Sequence, residues 1–179
     1  MSYLDLCSEV RAFVFDVDGV LTNGHVILLP DGQQMRHMHS RDGYAIQLAV
    51  KQGYHVAIIT GGNSPQVKER LNALGVHDIY MRASHKNEAL EEFMLTYQLS
   101  GNQIAYMGDD IPDLSALKMV SLSSCPADAA EEVKEVCNYI SRKKGGEGCV
   151  RDIIETVMRA QGKWFRADRH QDQLAEFTW

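Results

Sequence analysis

Asp16 and Asp18 stand two apart at the end of the apolar run Ala12-Phe13-Val14-Phe15, and Gly19 and Thr22 follow them. On an extended strand, residues two apart face the same way. Both carboxylates therefore project into one small space, which is unfavourable unless a cation shares it. The arrangement suits a magnesium site in which one carboxylate remains a nucleophile. Three further motifs follow apolar, β-rich runs: Thr60-Gly61-Gly62 after Ile58-Ile59, Lys86 beyond Ile79-Tyr80-Met81, and Gly108-Asp109-Asp110-Ile111-Pro112-Asp113 after Ala105-Tyr106-Met107. Together they assemble phosphoryl transfer through an aspartyl-phosphate. Asp16 attacks phosphorus in line, and Asp18 protonates the leaving oxygen and then deprotonates the hydrolytic water. Mg2+, held by Asp16, Asp109 and a backbone carbonyl, offsets the repulsion between carboxylate and phosphate. Thr60 and Lys86 bind phosphoryl oxygens, the first by hydrogen bond and the second as a point charge.

A calcium-binding loop is the main competing reading of the Asp16 pair, but its fifth and twelfth positions would be Val20 and Ile27, which cannot serve. Asp110 and Asp113 are placed outside the metal's direct ligands, where either orients its waters or the Lys86 ammonium. His37 and His39 lie two apart and imitate a metal pair, yet a phosphatase needs hard oxygen donors. They are read as flap surface or interface.

These motifs require strands whose ends converge. Apolar runs at 12–15, 55–59, 78–81, 103–107, 119–122 and 138–140 alternate with helical spacing at 43–52, 64–74 and 87–99. That pattern predicts βαβ units: an α/β, Rossmann-like, doubly wound and mostly parallel sheet. Ligands in such sheets bind beyond the strand C-termini, where all four motifs fall. One segment breaks the alternation: 24–38 carries Pro30-Asp31-Gly32 between strand-like runs, a hairpin that projects beside the active edge as a flap. Residues 1–163 are read as a single domain and 164–179 as an extended or partly disordered tail, whose Trp164, Phe165, Phe177 and Trp179 either dock on a neighbouring subunit or hang loose.

The chain has 179 residues, 45% of them hydrophobic and 23% charged, enough for a sizeable core. A net charge of −6 argues against nucleic acid or an anionic membrane as partner. Four widely spaced cysteines with no C-x-x-C pair are read as reduced core thiols. The N-terminus lacks a basic segment followed by an apolar one, and no apolar stretch approaches the roughly 20 residues of a membrane span, so a cytoplasmic location is expected.

The order D-x-D-G, hydroxyl residue, lone lysine and G-D-D-x-x-D resembles the haloacid dehalogenase superfamily of phosphatases. With the hairpin, Ser40-Arg41-Asp42-Gly43, Lys143-Lys144-Gly145-Gly146-Glu147-Gly148-x-x-Arg151 and Ala160-Gln161-Gly162-Lys163, the chain is similar to the 3-deoxy-D-manno-octulosonate 8-phosphate phosphatase family. That resemblance implies hydrolysis of a phosphorylated sugar acid in lipopolysaccharide precursor synthesis. It also implies a homotetramer without a cap domain, each active site closed by a neighbouring subunit. The spacing agrees, since the 41 residues between Asp18 and Thr60 and the 25 between Thr60 and Lys86 leave no room for a folded cap. Carried over by the resemblance, magnesium falls on Asp16, the Asp18 carbonyl and Asp109. Substrate contacts fall on Asp18, on His39, Ser40, Arg41, Asp42 and Gly43, on Thr60 and Gly61, on Lys86, and on Arg70 from a neighbour. Two positions depart from the family: Gly62 stands where Thr-Gly-Arg is usual, and Gln47 replaces a basic residue. A nine-carbon ulosonate 9-phosphate is therefore the alternative substrate. A catalytically idle oligomeric binding module is the alternative class, and it would have no need of Asp16, Asp18, Thr60, Lys86 and Asp109 together. A phosphomutase would need a lid to keep water out.

Overall fold

The computed structural model describes residues 3–167 and 175–179. Its main sheet contains β1 (Ala12–Phe15), β4 (His55–Ile59), β5 (Asp78–Tyr80), β6 (Ile104–Met107), β7 (Leu122–Cys125) and β8 (Tyr139–Ile140). The order is β5-β4-β1-β6-β7-β8, and every pair is parallel. Both faces of β1 are buried, and its alternating side chains serve two cores. Phe13 and Phe15 join the cluster under α2 (Ser40–Lys51), α3 (Pro65–Ala73) and α7 (Cys149–Ala160). Ala12 and Val14 join the one under α4 (Lys86–Tyr97), α5 (Leu114–Leu117) and α6 (Glu131–Val136). Near-continuous apolar strands with helices on both sides are what a parallel sheet demands.

The chain leaves β1 toward β4 and β5, then returns to the other side of β1 as β6. The order reverses between β1 and β6, and a crevice opens there beyond the strand ends. Asp16 and Asp109 each lie just beyond one of those two strands.

The expected hairpin is present as β2 (Ile27–Leu28) and β3 (Gln34–Met35), a separate antiparallel pair. Between β1 and β4 the chain holds only this flap and α2. Three expectations shift. The strand expected at 119–122 lies at Leu122–Cys125, where Ser123 and Ser124 are buried with their hydroxyls satisfied by Val136 O, Asn138 Oδ1 and Tyr106 O. The helix α7, not anticipated, buries Cys149, Val150, Ile153, Ile154, Val157 and Met158 along one face. The segment after 163 is not simply a tail: Trp164 is buried in the core. At the far end Tyr44 Oη donates to Phe177 O at 2.6 Å and Lys51 Nζ to Thr178 O at 2.8 Å. Phe177 and Trp179 thus pack on this chain's own α2 region. The α1 segment (Tyr3–Cys7) closes the same side against α7.

Candidate active site

Asp16 ends β1 and caps the tight loop that follows. Its Oδ1 accepts from Val17 N–H at 2.7 Å, and the loop closes where Thr22 N–H reaches Val17 O at 3.0 Å. Gly19 sits inside that loop at φ +90°, and a Cβ there would run into the Asp109 carboxylate. The glycine of the first motif therefore lets the β1 and β6 loops meet. Gly108 does the same for Asp113, whose carboxylate lies where a Cβ would be.

Lys86, the first residue of α4, reaches the buried centre. Its Nζ lies 3.0 Å from Asp16 Oδ2 and 2.7 Å from Asp113 Oδ1. Burial alone would lower its pKa, but the two carboxylates outweigh it and hold the pKa above the ordinary lysine value. Asp113 also accepts from Tyr106 Oη at 2.8 Å on the same oxygen, and from Asp109 N–H at 3.3 Å on the other. Asp113 is thus the anchor of the lysine. Asp110 instead caps a short turn through Ile111 N–H and is exposed. Of the two open assignments, orientation of the ammonium falls to Asp113.

Carboxylate oxygens of Asp16, Asp109 and Asp113 lie within 4.8 Å of one another. Asp113 is already engaged, while Asp109 Oδ1 is buried without a hydrogen-bond partner among the described residues. Burial and the neighbouring acids push Asp109 up to about 7, and burial with Asp113 pushes Asp16 up to about 6. A hard divalent cation relieves both strains, and an all-oxygen donor set suits magnesium. Asp16 and Asp109 would hold it.

Thr60 follows β4 and is buried, its hydroxyl accepting from Gly62 N–H at 3.1 Å. Gly61 lies in the same loop, which is tied to β5 by Thr60 N–H to Tyr80 O at 2.9 Å. Asp18 points elsewhere: its carboxylate receives Arg36 from the flap, with Nε to Oδ1 at 2.7 Å and Nη2 to Oδ2 at 3.1 Å. Sequence reasoning passed over Arg36. The one available signal was that Gln34 and Arg36, two apart, share a face of the hairpin strand, and here Arg36 Nη2 also donates to Gln34 Oε1.

The loop at 39–43 opens α2 beside the 143–148 segment. His39 caps α2 through Nδ1, which accepts from Arg41 N–H at 3.1 Å. His39 and Arg41 line a cleft of about 250 Å³ with Lys143, Glu147 and Arg151, and Ser40 opens the helix beside it. Asp42 was expected at the substrate. It is buried, and its Oδ1 accepts from Arg151 N–H at 2.8 Å in the first turn of α7. Helix N-termini favour such a carboxylate. Gly43 is buried against the Arg70 guanidinium, which lies 6.0 Å from the Trp179 ring. The 143–148 segment docks on the Asp16 loop, with Gly146 N–H donating to Val20 O at 2.9 Å.

Residues 72–153 match the model of the haloacid dehalogenase-like hydrolases. The 3-deoxy-D-manno-octulosonate 8-phosphate phosphatase of Yersinia pestis is 33% identical over 174 residues, covering 90% of this chain and 93% of that protein. Its counterpart from Escherichia coli K12 is 34% identical over 155 residues, covering 87% and 82%. The Moraxella catarrhalis 3-deoxy-D-manno-octulosonate 8-phosphate phosphatase, solved with a magnesium ion, a phosphate ion and a KDO molecule, superposes with a TM-score of 0.88 at 29% identity, covering 98% of each chain. With its acidic centre at the strand ends and such identity along most of its length, the chain belongs to the 3-deoxy-D-manno-octulosonate 8-phosphate phosphatase family of haloacid dehalogenase-like hydrolases.

Proposed function

We propose that the chain hydrolyses 3-deoxy-D-manno-octulosonate 8-phosphate to the free sugar acid and phosphate. As a member of its family it is a phosphoric monoester hydrolase. The observation that carries the reading is the buried centre in which Lys86 bridges Asp16 and Asp113 beside the unpartnered Asp109 oxygen.

Asp16 is the nucleophile. Its carboxylate forms a bond to phosphorus as the bond from phosphorus to the sugar oxygen breaks, and Asp18 gives that oxygen a proton. Water then attacks the aspartyl-phosphate while Asp18 takes a proton from it, releasing phosphate and restoring Asp16. Lys86 and Thr60 hold phosphoryl oxygens throughout, and Asp113 keeps the lysine aimed. Bound magnesium supplies the positive charge that lets an anionic carboxylate meet an anionic phosphate.

The working form is a homotetramer in which a neighbour closes the site. Support comes from the flap, whose Val26, Ile27, Leu28 and Met35 are exposed beside an otherwise open crevice. A nine-carbon ulosonate 9-phosphate is the second reading, favoured by Gly62 in place of the usual arginine. Phosphate release from the eight- and nine-carbon ulosonate phosphates with magnesium tests the proposal. Faster turnover of the eight-carbon ester, abolished in Asp16→Asn, is expected; no turnover of either would overturn it.

A further inference from the structure

The guanidinium of Arg36 makes a two-point contact with both oxygens of Asp18, and the arginine side chain is only 7% exposed. A carboxylate so engaged is held in an orientation set by the flap, with one lone pair on each oxygen committed to the guanidinium. The pair is also charge-neutral, so it persists until another anion draws the arginine off. Space for that exchange lies beside it. A groove of about 380 Å³ runs between the flap and α3, with Met35, Met38 and Val67 along its apolar side and Gln33, Gln34, Ser64, Gln66, Arg70 and Arg36 supplying its polar groups. Amides, a hydroxyl and two cations suit a hydroxylated anion, and the volume lies in the range of small-ligand sites. None of the described residues lining this groove is acidic, so an arginine leaving Asp18 finds its new anion only in a ligand. Gly62 borders the pair: a Cβ there would lie in ordinary contact, 3.5 Å from Asp18 Oδ2 and 3.8 Å from Arg36 Nη2.

We infer that Arg36 is a specificity-determining residue that exchanges the Asp18 carboxylate for the carboxylate of the sugar-acid substrate. Entry of the acid end into the groove then frees Asp18 for the leaving oxygen, so recognition and readiness for proton transfer are linked. No covalent bond changes in this step. It rests on the chain acting on a sugar-acid phosphate.

The test compares kcat/KM for 3-deoxy-D-manno-octulosonate 8-phosphate with that for D-glucose 6-phosphate, which has no carboxylate, in the wild type and in Arg36→Gln. The ratio is expected to fall about tenfold or more in the variant, mainly through KM for the acid. A wild type that prefers the acid and a folded variant that keeps the same ratio would overturn the exchange while leaving the sugar-acid function standing. A wild type with no preference for the acid removes both. Independently of any fold change in the variant, the Nε–H resonance of Arg36 in the wild-type protein, assigned through Arg36→Lys, is expected to shift on saturation with the free octulosonate and not with D-glucose. No shift at saturation would also overturn the exchange.

Discussion

The centre around Asp16 and the flap a few residues later are built on opposite terms. Asp16, Lys86 and Asp113 are buried, joined by contacts of 2.7 and 3.0 Å, and supplied by β1, β6 and the start of α4. The flap consists of two strands of two residues each, with Leu28 75% exposed and one long-range ion pair, Arg36 to Asp18, beside a 3.5 Å contact from Gln66 Nε2 to Gln33 Oε1. Burial fixes geometry and makes the centre intolerant of change, as preorganised catalysis requires. A thin exposed hairpin is free to follow substrate and neighbour. On the readings proposed above, chemistry belongs to the first and selection to the second.

Substitutions can break that contrast. Asp16→Asn should cost the most, about 10⁴-fold or more in kcat, since no other carboxylate is placed to attack; single-turnover phosphate release checks it. Asp18→Asn should lower kcat by about 10²–10⁴-fold with the fold retained and only a modest fall in melting temperature, as Arg36 loses its counter-charge. Near-normal turnover there would mean that the acid–base is another residue.

Asp113→Ala should instead act through stability. It removes one partner of a buried ion pair, at a cost of about 3–5 kcal/mol in denaturant unfolding, with loss of activity as Lys86 drifts. The flap should show the reverse. Leu28→Ser is expected to change protomer stability by about 0.5 kcal/mol or less while weakening the oligomer, read by light scattering.

Magnesium and pH sharpen the same contrast. Asp16 and Asp109 have pKa values raised by burial and by their acidic neighbours, to about 6 and about 7. Without metal, the folded state binds more protons than the unfolded one between about pH 4 and 7, so stability should fall as pH rises through that window. The gain in melting temperature on adding magnesium should grow over the same range, because the ion competes with protons for these oxygens. Calorimetry with chelator and with magnesium at several pH values measures both, and Asp109→Asn should flatten the trend.

Much of this was legible in the chain. The apolar runs of β1, β4 and β6 and the acids just beyond them depend on local spacing, which a sequence displays directly. What stayed hidden depends on distant partners. Asp42 reads as a loop acid, and only α7 folding back from residue 151 makes it a buried clamp. The β7 serines look like turn residues until the neighbouring strand supplies their hydrogen bonds. The amphipathic spacing of α7 was there to be seen, but no motif drew attention to it. Arg36 belongs to no motif, and its role arises from a hairpin that folds across the crevice.

The glycine loop at 145–146 carries a consequence for synthesis. Gly146 N–H and the Cys149 thiol both donate to Val20 O, in the loop that follows Asp16, and Asp42 waits on Arg151. β1 likewise cannot complete its pairing until Ile104–Met107 has been made. Such long-range closure folds slowly. On the ribosome, the Asp16 loop must therefore remain unassembled until residue 151 has emerged, so a nascent chain that stops short of it should carry no phosphatase activity.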